Sequence, residues 1–174
     1  MAGREPDYGA TAATVATNVK RLRENKNLSY TQVSDRLRQI AGWSINAVGV
    51  RRIEAGERRV NVDDLMSLAV AFGVSPLTLL MPKAQNSDNS VEITGVADEP
   101  LQAGRLWNWL VGRLPLVGET AEEALDFLVR SVPGWLLTKG EVSVAESGLE
   151  PNVTLSVRWS GGEYILKRST SGDD

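Results

Sequence analysis

Apolar residues recur along this chain first at helical spacing and later at strand spacing. Val15, Val19 and Leu22 repeat at spacings of four and three, with Lys20, Arg21, Arg23 and Glu24 filling the other face. A helix is therefore expected from about Ala10 to Lys26, closed by Asn27. Ser29 followed by Gln32 is a capping-box pair, in which the hydroxyl accepts the backbone N–H at Gln32 and the amide reaches back. It predicts a helix from Tyr30 to about Ile40 with Val33, Leu37 and Ile40 as its buried stripe. Ala41-Gly42 breaks that helix, Trp43 to Ile45 connects, and Asn46 caps a short helix from Ala47 to Ala55 in which Val50 and Ile53 face inward. Gly56 is the expected stop. Asn61 caps a further helix, with Asp63 and Asp64 at its positive end and Leu65, Leu68, Ala69 and Phe72 as its stripe, closed by Gly73. Ser75 opens a last short helix through Leu80 that ends at Pro82, with Pro76 in the first turn where its missing N–H costs nothing.

Beyond these five helices the small and polar run Ala84 to Ser90 marks a boundary. Leu101 to Leu110 reads as one helix-like stretch, Thr120 to Val132 as another with Ala121, Ala124, Leu125, Leu128 and Val132 as its stripe. Val153, Leu155, Val157 and Trp159 then alternate with polar residues, and Tyr164 to Lys167 return after Ser160-Gly161-Gly162, which predicts a hairpin over Asn152 to Arg168. Glu141 to Ala145 is a candidate third strand. The expected organisation is a disordered tail over 1–9, a helical domain over 10–83, a linker over 84–95 and a small α+β C-terminal domain over 96–174.

Composition narrows the chemistry. The 174 residues include no cysteine and no histidine, which removes disulfides, thiolate and imidazole metal sites, and every triad built on a His base or a Cys nucleophile. With no phosphate-cradling glycine loop and no paired carboxylates in one element, no enzyme and no cofactor is expected. No apolar run approaches a membrane span, and Met1 to Ala13 lacks the basic start and apolar centre of a signal peptide, so a cytoplasmic chain is expected.

The formal charge of −3 hides a separation. Residues 1–83 hold 12 Lys and Arg against 8 Asp and Glu, whereas residues 84–174 hold 7 against 14. Arg outnumbers Lys 14 to 5, which suits bidentate phosphate contacts and follows equally from a GC-rich coding sequence.

The stretches Asn18 to Glu24, Leu28 to Leu37, Arg52-Ile-Glu-Ala-Gly56 and Val62 to Pro76 together resemble the lambda-repressor-like (xenobiotic response element type) helix-turn-helix regulators, in the form common in actinobacteria and their phages. The resemblance spans about Val15 to Pro82. It implies a mainly α fold, a five-helix lambda-repressor-like domain followed by the small α+β domain with its hairpin, and a partner in double-stranded operator DNA. It implies further that Tyr30 to Ile40 crosses the DNA backbone while Ala47 to Ala55 enters the major groove.

Helical geometry agrees, because with Val50 and Ile53 buried, Ala47, Val48, Arg51 and Arg52 lie on the other side. Asn46, Ala47, Val48, Arg51 and Arg52 are the candidate base contacts, the arginines toward guanine or phosphate and the small apolar pair toward a thymine methyl. Arg23, Ser29, Tyr30, Arg58 and Arg59 are the candidate backbone contacts. For Ala47 and Val48 simple packing is an equal reading, and Glu54 is expected to pair with a local Arg or cap structure, since its charge would repel phosphate. Two departures stand out. Tyr30 occupies a position where the family usually has Gln, and Leu37 to Asn46 is about six residues longer than the tight turn of the standard motif, either extending the second helix or adding a loop.

Leu106-Trp-Asn-Trp-Leu110 with Pro115-Leu116 looks like an extension found after the domain in some such proteins. Its tryptophans suggest a partner hot spot or a small-molecule pocket, but a small domain with few large side chains is expected to bury Trp107, Trp109, Phe127, Trp135 and Trp159. The functions in view are a transcriptional regulator, specifically a repressor acting by operator occupancy with a phage or prophage immunity repressor as one version, or an antitoxin or adaptor whose acidic C-terminal domain binds a protein partner. A homodimer through the C-terminal domain fits either.

Overall fold

A computed structural model describes residues 8–96, 101–118, 120–137, 141–147, 152–159 and 162–167. The chain forms two compact units, residues 1–107 and 108–174. That division falls beyond the linker expected at 84–95.

The first unit begins with five helices, α1 (Ala10–Asn25), α2 (Tyr30–Ile40), α3 (Ala47–Glu54), α4 (Val62–Phe72) and α5 (Pro76–Leu80). Their ends sit where the capping residues place them. Ser29 and Gln32 form the full capping box, Asn46 accepts from Gly49 N at 2.7 Å, Asn61 from Asp64 N at 2.7 Å, and Ser75 from Leu77 N at 3.2 Å. Gly73 closes α4 in the left-handed region at φ 65°, which a side chain rarely adopts.

One core joins all five helices: Val15, Val19 and Leu22 of α1, Val33 and Leu37 of α2, Val50 and Ile53 of α3, Leu68, Ala69 and Phe72 of α4, and Leu79 of α5. Ile40 departs from its expected burial and is exposed, because it is the last residue of α2 and the chain then turns at Gly42, φ 62°. Ile45, from the connection itself, enters the core instead. The extra length between α2 and α3 is thus a loop, Ala41 to Asn46, and α2 is not extended.

Residues 84–96 are tied to the helices. Gln85 N and Asn86 N both donate to Asn89 Oδ1, and Thr11 and Thr94 exchange reciprocal backbone-to-hydroxyl hydrogen bonds at 3.2 and 2.9 Å. Strand β1 (Ser90–Val91) pairs antiparallel with β2 (Leu101–Gln102), with Val91 opposite Leu101. The expected helix start at Leu101 is therefore corrected, since Leu101 and Gln102 are extended and α6 runs over Ala103–Leu110. Leu101 is buried in that pairing.

In the second unit α7 (Ala121–Ser131) is opened by a capping box between Thr120 and Glu123, and α8 (Gly134–Leu137) follows. Strands β3 (Glu141–Ser147), β4 (Asn152–Trp159) and β5 (Gly162–Lys167) form an antiparallel meander in the order β3-β4-β5. Leu155 lies opposite both Val144 and Leu166, and Trp159 pairs with Gly162, so the expected hairpin is present and Glu141–Ser147 adds the third strand. Trp107, Trp109 and Trp135, expected inside, are exposed. In α6 the buried positions are Ala103 and Leu106, and Trp107 and Trp109 fall off that face. Phe127 is half-buried, and the side chain of Trp159 lies outside the described set. No described helix is long and apolar enough to cross a membrane.

Candidate nucleic-acid interface

Helix α3 has two faces that differ sharply. Gly49, Val50 and Ile53 are buried, while Val48, Arg51 and Arg52 are exposed and Ala47 is half-buried. A glycine at position 49 is what lets the helix lie so close to its neighbours. A Cβ there would stand 2.8 Å from Arg58 Nη1 and 2.9 Å from Ile45 Cγ2.

Asn46, a candidate base contact, spends its side-chain oxygen on the cap of α3, so this group fixes where the helix begins. Ser29 is likewise engaged at the start of α2, accepting from Gln32 N at 3.2 Å while its own N–H donates to Gln32 Oε1 at 2.8 Å. Tyr30 lies under the Arg23 guanidinium, 4.5 Å from its centre to the ring centroid.

Two of the arginines expected at phosphates have internal partners instead. Arg23 holds Glu54 through two parallel bonds, Nε to Oε1 at 2.6 Å and Nη2 to Oε2 at 2.9 Å, and donates from Nη1 to the Leu28 carbonyl at 3.2 Å. The side chains are 13% and 4% exposed, so this is a buried pair that ties the end of α1 to α3. The hydrogen bond to Glu54 raises the guanidinium pKa above its already high ordinary value. Glu54 does pair with an arginine, but the partner is not local, lying 31 positions earlier in the chain.

Arg58 donates to Asp64 at 3.2 Å, and Trp43 Nε1 donates to the same carboxylate at 2.8 Å. Asp64 is 2% exposed, and it joins the α2–α3 loop, the α3–α4 loop and the first turn of α4. The sequence shows Asp64 only as a charge favourable to a helix start. The signal for its second role is the lone indole of Trp43 in the unusually long connection, since a buried Trp N–H needs an acceptor.

Two more polar links, one from buried Asn18 and one from half-buried Arg36, carry no local signal in the sequence. Asn18 donates to the Leu79 and Met81 carbonyls at 3.0 and 2.8 Å, fixing α1 to the end of α5, and Arg36 Nε donates to the Ala71 carbonyl at 3.0 Å, fixing α2 to α4. No described buried side-chain polar atom lacks a partner.

The arginines left facing outward on α3 are Arg51 and Arg52, 52% and 53% exposed. With Val48 beside them they form a face carrying two guanidinium forks and an apolar surface, groups that match the acceptor edge of guanine and the methyl of thymine. Arg59 is exposed in the following loop.

No curated protein matches the chain. Among solved structures, a hypothetical transcription factor NHTF from Neisseria is similar at 23% identity, covering 47% of this chain and 87% of its own, with a TM-score of 0.37. Residues 14–80 match the family described as "Helix-turn-helix domain", and α1 to α5 form a helix-turn-helix region.

Proposed function

We propose that this protein is a sequence-specific DNA-binding transcriptional regulator, and not an enzyme, that acts in the cytoplasm as a repressor by occupying operator DNA. A phage or prophage immunity repressor is one concrete version. The observation that carries the reading is the outward face of α3, where Arg51, Arg52 and Val48 are exposed on a helix whose other side is locked into the core. In a helix-turn-helix region this is the element that lies in the major groove. Ser29 and Tyr30 at the start of α2, with Arg59, would set the protein on the phosphate backbone. Arg23 and Arg58 serve the reading indirectly, by holding α3 and its flanking loops in place.

The test is a genomic binding selection at moderate salt, followed by titration of the enriched duplex. Arg51→Ala and Arg52→Ala should each weaken binding about 10-fold or more at an unchanged thermal midpoint. A selection that enriches no sequence rejects the proposal.

A second reading is favoured by exposed Trp107, Trp109 and Trp135, which are residue types that anchor protein interfaces. In it the acidic C-terminal region binds a basic partner, as in an antitoxin or adaptor, or pairs with a second copy. Truncation after Leu110 combined with Trp107→Ser and Trp109→Ser, which removes all three anchors, separates the readings. A regulator acting through DNA alone keeps both its operator affinity and its cellular effect, whereas an adaptor keeps the affinity and loses the effect.

A further inference from the structure

The turn after α3 returns a carboxylate to the outward face. Gly56 N donates to the Ile53 carbonyl at 3.0 Å and Glu57 N to the Arg52 carbonyl at 2.8 Å, the paired bonds of a Schellman motif, with Gly56 in the left-handed region at φ 72°. This backbone geometry sets Glu57 over the last turn of α3. Its Oε2 lies 3.4 Å from Arg51 Nη2 and 3.9 Å from Arg52 Nε, and Arg52 Nη2 also faces the Glu57 carbonyl at 3.4 Å.

These distances are long and all three side chains are about half exposed, quite unlike the short, buried Arg23–Glu54 pair. A negative charge at a helix C-terminus is also unfavourable to the helix. Stability does not explain the arrangement.

We propose that Glu57 is an internal phosphate mimic that determines specificity. It partly neutralises Arg51 and Arg52, which weakens their attraction to the anionic phosphate present at every sequence more than their directional bonds to the neutral acceptors of a base edge. The proposal rests on the DNA-binding reading above. On non-specific duplex, where phosphate charge supplies essentially all the affinity, the carboxylate competes directly with the ligand.

The experiment measures binding of the full chain to a mixed-sequence duplex by fluorescence anisotropy over a salt series. Glu57→Gln should bind roughly 3- to 10-fold tighter, with the slope of log K against log salt steeper by about one, and with a thermal midpoint no lower than the wild type. Removing any acidic residue raises attraction to DNA, so the Asp63→Asn chain measures that general effect. In the Arg51→Ala/Arg52→Ala background the gain from Glu57→Gln should shrink to that of Asp63→Asn. A gain that persists in that background, or no gain beyond Asp63→Asn in the wild-type background, overturns the proposal. If the Arg51→Ala/Arg52→Ala chain still loses affinity, the DNA-binding reading of α3 survives that result. If neither the arginine nor the Glu57 substitutions change binding, both readings fall.

Discussion

Replacing Arg23 by Met should be among the most damaging single changes in the helix-turn-helix region. The substitution keeps most of the aliphatic volume and removes both bonds to Glu54, the bond to the Leu28 carbonyl and the contact with the Tyr30 ring. What remains is a Glu54 carboxylate 4% exposed, with no counter-charge. Breaking a buried pair by deleting one partner costs about 3–5 kcal/mol, because the stranded charge keeps its desolvation penalty. Against a total stability of about 5–15 kcal/mol for a domain, that is a large fraction. At about 4–8 °C per kcal/mol for a region of this size, the melting midpoint should fall by at least ~12 °C.

Replacing both partners, Arg23→Met with Glu54→Leu, should recover more than half of the loss, since an apolar pair of similar volume avoids that penalty. Urea unfolding followed by far-ultraviolet circular dichroism measures both variants. A loss below ~1 kcal/mol for Arg23→Met, or a double variant no more stable than the single one, would refute the reasoning. The double variant also tests the assignment of roles. Arg23→Met/Glu54→Leu, which replaces the tie to α3 with an apolar one, should bind DNA within about 3-fold of the wild type, because the Arg23 guanidinium faces Glu54 and not the ligand.

Gly49→Ala, a change that usually stabilises a helix by about 0.5–1 kcal/mol, should here reverse sign and cost ~1 kcal/mol. The new methyl meets Ile45 Cγ2, which is buried and cannot yield, and pushes on the Arg58 fork that holds Asp64; a raised melting midpoint would contradict this. Tyr8 donates its hydroxyl to the Arg58 carbonyl at 2.9 Å, and burial pushes its pKa up while the positive charge of Arg59 pulls it partly back. Because the folded value lies above the unfolded one, this contribution to stability is complete below the ordinary phenol range and is lost as pH rises through that range to the folded value. Ultraviolet titration of the wild type minus Tyr8→Phe should show a phenol ionising above the ordinary value, and a difference curve at or below it would refute the assignment.

Much of the helical region could be read from the residues because its signals are local. Ser29 with Gln32, Asn46, Asn61 and Ser75 act on backbone groups two or three positions away, and each cap appears where its residue type predicts. The alternation of Val153, Leu155, Val157 and Trp159 likewise marks β4 as a strand, whereas Tyr164, Ile165 and Leu166 of β5 are consecutive apolar residues whose register comes from pairing with β4. Ile40 and Leu101 depart from their local patterns for a non-local reason. Ile40 continues the spacing of Val33 and Leu37, but a loop side chain, Ile45, takes the core place, and Leu101 is drawn into a strand by Val91. Periodicity along one segment cannot see either competitor.

The candidate site shows the same limit in charge. Counting arginines assigns Arg23, Arg51, Arg52, Arg58 and Arg59 equally to DNA, because formal charge is the same wherever the side chain goes. The fold sorts them by what stands opposite. Arg23 meets Glu54 across 31 positions of sequence and Arg58 meets a carboxylate already shared with Trp43, and both become ties between elements. Among the described residues Arg51 and Arg52 meet the loosely placed Glu57, and they keep half their surface to water. Each internal pair removes one charge of either sign, so pairing leaves the excess of Lys and Arg across residues 1–83 unchanged and alters only where positive charge meets solvent. A phosphate-facing role is better judged from an arginine's pairing distance and exposure than from its place in a basic stretch. By that measure the exposed pair on α3 stands apart from the arginines that build the scaffold beneath it.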